Sequence, residues 1–227
     1  MAYFEQDFLN FFKELSKNNS KEWFDTNRKR YEKSVKEPFK NFVELMIELM
    51  RADDPAITMA AKDGIFRLNR DIRFSADKTP YKIQASAIIS AGGKKDKTFP
   101  GIYFQFSAED ARIYSGCHML EKGQLQNVRE HIVDNLDEFN KLITDKKFTS
   151  TFGQVLGEKN KRLPKEFQEI EAKQPLIANK GFYYFVKFKP DIILQDDLPE
   201  VFMKHYEIVK PLKLFFSKPL MAIAQSL

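Results

Sequence analysis

The spacing of apolar residues changes four times along this chain, and each change limits the kind of element a segment can form. Phe4, Phe8, Phe11, Phe12 and Leu15 recur at helical spacing, after which Asn18-Asn19 supplies a stop and Ser20 an N-cap. A second helix is expected after Ser20, with Trp23, Phe24, Tyr31 and Val35 on its buried side as far as Pro38. Phe39, Phe42, Val43, Met46, Ile47 and Met50 then carry a third helix, or a continuation past a kink, because proline lacks an amide donor and crowds the preceding turn. This aromatic and methionine stripe reads as core.

From Gly64 to Cys117 the period becomes two. Phe66, Leu68, Ile72 and Phe74 alternate with Arg67, Asn69, Asp71 and Arg73, and Ile83, Ala85, Ala87 and Ile89 alternate with Lys82, Gln84 and Ser86. Ile102, Phe104 and Phe106 follow the same rule, and Ala108-Glu109-Asp110 marks a hairpin turn into a strand ending at Cys117. Helical spacing returns with Leu125, Val128, Ile132, Leu136, Phe139 and Ile143. A fifth strand is expected where Phe182, Tyr184, Val186 and Phe188 alternate with Tyr183, Phe185, Lys187 and Lys189. The last helix follows Pro199, with Phe202, Tyr206, Val209, Leu212 and Phe216 inside and Pro211 expected to kink or break it.

The predicted class is therefore α+β: one antiparallel-rich sheet of about five strands, with N-terminal, central and C-terminal helices packed on its apolar face. A single domain over 1–227 is expected, with a helical part at 1–52, a strand-rich middle at 64–117, a helix at 121–145 and a strand and helix at 182–217. Residues 146–174 have no readable period. A hydrophobic content of 43% in 227 residues is enough for a large core.

Several functional classes find no support. No apolar run reaches membrane length, and the first residues carry acids where a secretory signal needs bases, so a cytoplasmic protein without a membrane partner is expected. The single Cys117 forms no internal disulfide and no zinc pattern, and reads as a small apolar strand residue. His118, His131 and His205 are scattered, so neither a metal nor a cofactor is expected. His118 with Cys117 and Glu121 lacks an orienting partner. No phosphate-binding glycine loop, nucleophile elbow or paired catalytic carboxylates occur, and the sequence names no catalytic residue.

The chemistry concentrates in residues 66–82, where Arg67, Arg70, Arg73, Lys78 and Lys82 share a short stretch with Asp71 and Asp77. Residues 62–97 hold nine bases against four acids, so this window contains the whole net charge of +5. A patch of that kind favours an anionic partner. Strict alternation places Arg67, Asp71 and Arg73 on the polar face but sends Arg70 to the other side, where a guanidinium needs a carboxylate such as Asp71, Asp77 or a distant Glu. Asp77, Lys78 and Pro80 form a turn, with Asp77 capping amides and Thr79 held extended before proline.

Two groups of residues follow. Arg67, Arg73, Lys78, Lys82 and Tyr81 are candidate ligands for an anion, since arginine forks suit phosphate and carboxylate oxygens. Arg70, Asp71 and Asp77 are candidate members of a structural clamp. The favoured partner is a phosphate-bearing small molecule, either bound or acted upon. The alternatives are a nucleic-acid strand lying on the polar sheet face, stacked on Tyr103, Tyr114 or Tyr183, and a purely structural ion network serving an interaction module.

The run Arg67-Leu68-Asn69-Arg70-Asp71-Ile72-Arg73-Phe74, followed by Asp77-Lys78 and Tyr81-Lys82, resembles the signature of the bacterial and fungal family called domain of unknown function 2461. The similarity extends to Asn18-Asn19, Glu22-Trp23-Phe24, Leu125 with Arg129, Lys161-Arg162-Leu163-Pro164 and Asn179-Lys180-Gly181-Phe182. The resemblance implies a single domain of this length and points to the same arginines. It implies no particular activity, substrate or cofactor.

Overall fold

The structure, a computed structural model, describes residues 2–95 and 100–224. Asp96 and Lys97 of the basic window lie outside the described residues. The chain divides into two compact units, one made of residues 1–89, 103–113 and 187–203, the other of 90–102, 114–186 and 204–227.

The class is α+β with one antiparallel sheet, ordered β1-β2-β3-β4 from Gln84–Ile89, Gly101–Ser107, Ala111–Cys117 and Phe182–Phe188. Four strands form where about five were expected. The missing one is the segment after Gly64, and its pairing explains the loss. Ile65 bridges Ala87 and Asn69 bridges Tyr81, so four steps on one side face six on the other. A ladder cannot stay in register across that mismatch, and only isolated bridges survive. Beyond Asn69 the chain turns, with the Ser75 amide donating to the Ile72 carbonyl at 3.3 Å. Alternation there has no sheet to face, and Phe74, expected on the apolar side, is 96% exposed.

In the first unit, α1 (Gln6–Lys17) ends at Asn18, and Ser20 Oγ accepts from the Trp23 amide at 3.2 Å to open α2 (Lys21–Thr26). A short α3 (Arg28–Tyr31) runs into a π-helical turn at Glu32–Lys36 and then α4 (Glu37–Asp53). The wide turn lies immediately before Pro38, where an ordinary helix would force the proline ring against the carbonyl four residues back. It resolves the expected kink as a continuation. Phe42 stands edge-on to Phe104 and Phe202 at 5.8 and 5.4 Å, and Phe4 edge-on to Phe106 at 5.5 Å. Each such pair contributes roughly 0.5–1.5 kcal/mol beyond the area it buries.

Asp110 is buried in the β2–β3 turn and receives Arg112 at 2.7 Å and Lys187 at 3.0 Å. Burial alone would raise its carboxyl, but hydrogen bonds from those two bases outweigh it and hold the group below the ordinary value.

In the second unit, the single helix expected over 121–145 is two, after a short α5 (Ala61–Gly64) in the first unit: α6 (Lys122–Asp134) and α7 (Leu136–Ile143). Asn135 divides them by donating its side-chain amide to the His131 carbonyl at 2.9 Å. The stretch without a readable period forms α8 (Lys146–Phe152) and α9 (Lys165–Glu171). Phe148 and Phe152 pack edge-on to Tyr184 at 5.0 and 5.7 Å. The final helix, α10 (Leu198–Ala224), runs through both Pro211 and Pro219, so of the kink or break expected at Pro211 the break does not occur.

Candidate anion-binding site

The motif is a distorted hairpin whose two arms meet at three backbone hydrogen bonds. The Phe66 amide donates to Ser86, Lys82 to Leu68 at 2.9 Å and Arg70 to Pro80 at 2.8 Å. Asn19, marked in the sequence as a helix stop and by the family resemblance, fixes this hairpin to the N-terminal helices. Its amide donates to the Tyr81 carbonyl at 2.9 Å and its oxygen accepts from the Tyr81 amide at 3.1 Å. The Tyr81 ring is buried and stacks on Phe24 at 4.3 Å. Tyr81 therefore positions the hairpin and has no exposed ring to offer a ligand.

Arg70, expected on the apolar side, is only partly buried and finds its partner within the exposed loop. Its Nη1 donates to Asp77 Oδ2 at 2.5 Å and to Thr79, reaching the carbonyl at 3.1 Å and the hydroxyl as well. Asp77 in turn accepts the Thr79 amide at 2.9 Å, closing the turn before Pro80. The backbone amide and hydroxyl of Thr79 and the Arg70 guanidinium together depress the Asp77 carboxyl to about 2, the amide contributing most. Lys78 Nζ donates to the Ile72 carbonyl at 3.0 Å and braces the other end of the loop.

Arg73 and Asp71 pair with each other. The guanidinium grips both carboxylate oxygens, Nε to Oδ1 at 2.9 Å and Nη2 to Oδ2 at 2.7 Å. Both are exposed, and the fork lowers the Asp71 carboxyl and raises Arg73. The charges cancel locally. Asp71 thus belongs with Arg73 rather than with Arg70 and Asp77.

Arg67 and Lys82 stand apart from both pairs. Neither makes a side-chain hydrogen bond or ion pair among the described residues. Lys82 is half-buried, and its Nζ lies over the Phe66 ring at 5.4 Å. A ring face holds an ammonium in place without cancelling its charge. Burial lowers the Lys82 ammonium below its ordinary value, and the neighbouring Arg67 charge lowers it further. Arg67 and Lys82 thus carry charge that no ion pair cancels among the described residues.

Other candidates resolve differently. Cys117 is buried, and burial pushes its thiol up to about 12, which makes it inert packing. His118 and Glu121 are exposed, and no cluster of metal-ligating side chains occurs among the described residues. On the outer sheet face Tyr114 stacks on Phe185 at 4.9 Å, both partly exposed. Arg129, noted in the sequence only through the family signature, is buried. It donates Nε to the Ile177 carbonyl at 2.9 Å and Nη2 to Asn179 at 3.1 Å, closing the end of the short 3-10 helix Pro175–Ala178. Its signal in the sequence was a lone arginine on an apolar helical face.

These features define an α+β protein with a four-stranded antiparallel sheet and a braced, cationic hairpin ahead of its first strand. The chain matches the sequence profile of the family described as "Conserved hypothetical protein (DUF2461)" over residues 7–215, and it belongs to that family. No curated protein and no solved structure gives a match. Among the described residues no helix is long and apolar enough to cross a membrane.

Proposed function

We propose that the protein is a cytoplasmic anion-binding domain in which Arg67 and Lys82 hold the phosphate of a small molecule. One observation carries this reading: within a motif whose other arginines are paired with carboxylates, these two cations have none and repel each other. An anion between them removes that repulsion and restores the Lys82 ammonium. Arg67 supplies a planar fork of donors and Lys82 a compact charge, a combination suited to phosphate oxygens. Arg70, Asp77 and Lys78 hold the loop, while Arg73, neutralised by Asp71, serves as a secondary contact.

The experiment is a thermal unfolding series in inorganic phosphate. The native chain should gain stability with rising phosphate by mass action. Arg67→Glu should lose that gain while its unfolding midpoint without phosphate stays at or above the native one, because a repulsion has been removed. Equal phosphate-dependent gains in the variant and the native chain would refute the assignment.

A further inference from the structure

We infer that His131 is an acid-sensitive latch on the joint between α6 and α7, closing it when the imidazole is neutral and releasing it when the imidazole takes up a proton. Asn135, the residue between the two helices, donates its side-chain amide to the His131 carbonyl at 2.9 Å and to His131 Nδ1 at 3.1 Å. A carbonyl can only accept, so the first bond fixes which end of the amide faces the histidine, and Nδ1 must then be the accepting nitrogen. The proton of the neutral ring therefore sits on Nε2, which is enclosed and has no hydrogen-bond partner among the described residues. The ring lies against Phe215 of α10 at 4.5 Å, and Phe215 in turn packs on Phe139 of α7 at 5.4 Å. His131 thus ties α6 to the joint through Nδ1 and to α7 through the ring of Phe215.

A second proton cannot be added here without movement. It must go on Nδ1, where it would point at the Asn135 N–H, and the ring would then carry two donors with no acceptor for either. Three charged groups act on the ring: Lys218 from α10 opposes the added charge, while Glu138 from α7 and Asp134 from α6 favour it. Glu138 is paired with Lys218 at 3.5 Å, which balances part of its charge. Burial is the largest influence, and together with Lys218 it holds the imidazole below its ordinary 6.5. When the joint opens, the ring reaches water and regains that value. Acid therefore favours opening: the closed joint is fully favoured above about 6.5 and loses ground as pH falls toward the depressed value.

The test combines nitrogen NMR of the histidine rings with amide hydrogen exchange of the full chain, from neutral pH down to about 5. At neutral pH the His131 ring should show the tautomer protonated on Nε2, and its titration midpoint should lie below 6.5. Between 6.5 and that midpoint, protection of the α7 amides, corrected for the intrinsic pH dependence of exchange, should fall by up to about tenfold per pH unit, the limit for linkage to one proton. Amides of β4 should keep theirs. His131→Phe retains a ring against Phe215 and cannot titrate, so it should abolish the pH dependence. Asn135→Ala frees Nδ1 and should raise the midpoint toward 6.5, a check that holds even where His131→Phe does not fold. A neutral ring protonated on Nδ1 would overturn the latch, as would a midpoint above 6.5, which would mean that Phe215 and Glu138 support the charge. So would a histidine that titrates while α7 protection stays constant, an equal fall at β4 marking global unfolding, or a fall in α7 that persists in His131→Phe.

Discussion

At the scale of single residues, the two halves of the motif differ in what happens to each positive charge. Arg70 gives its charge to Asp77 and Arg73 to Asp71, whereas Arg67 and Lys82 keep theirs. The Lys82 ammonium is depressed in the folded chain, so the unfolded chain binds its proton more strongly. Stability without ligand should therefore rise as pH climbs through the depressed value toward the ordinary 10.5. Urea midpoints between pH 8 and 10.5 check this, and Lys82→Met should flatten the rise. Saturating phosphate should flatten it too, by returning the ammonium toward its ordinary value. A midpoint that falls over this range, with the fall abolished by Lys82→Met, would mean that Lys82 has a carboxylate partner. The need of Arg70 for a carboxylate was legible in the sequence, and Asp77 was among the candidates. The partner of Asp71 was not, because a side chain two residues away and one seven residues away compete for Arg and Asp forks on terms that only loop geometry decides.

Among the elements, two anchors matter more than their place in the sequence suggests. Asn19 binds both backbone groups of Tyr81, 62 residues away, and thereby sets the hairpin against the N-terminal helices. Asn19→Ala leaves one amide and one carbonyl without partners and should cost about 1–3 kcal/mol in denaturant unfolding. It should also weaken phosphate binding, which a mere loss of helix capping would not do. Arg129 closes the carbonyl end of the 3-10 helix at Pro175–Ala178 from a buried position. Arg129→Ala should cost about 2–4 kcal/mol, combining lost packing with unsatisfied carbonyls. Phosphate affinity per folded molecule should be unchanged. The four strands and the long amphipathic helices were readable from period alone, because each buries one face on a regular spacing. The strand expected after Gly64 was misread because its alternation is genuine while its register is not. Ile65–Ala87 and Asn69–Tyr81 differ by two residues of pairing, a property of the turn rather than of either arm. Residues 146–174 hold helices of seven residues each, too short for a helical period to declare itself.

For the whole molecule, the placement of charge is the quantity that links fold to function. The net charge of +5 coincides with the window around the hairpin, so the rest of the sequence is formally neutral and adds no diffuse attraction for anions. Binding should depend on the hairpin cations and respond only moderately to salt, as expected for one or two phosphate contacts and unlike an extended nucleic-acid surface. Membership of the DUF2461 family covers residues 7–215 and therefore includes the hairpin, its Asn19 anchor and Arg129 together. On this reading one motif is divided into a clamp, Arg70 with Asp77, and an anion site, Arg67 with Lys82. A phosphate titration followed by NMR of the arginine Nε and lysine Nζ resonances tests it most directly. The Arg67 and Lys82 signals should move together along one saturable curve, while those of Arg70 stay fixed. Saturable movement at Arg70 with Arg67 and Lys82 unmoved would contradict the division, and the absence of saturable movement anywhere in the hairpin would contradict the site.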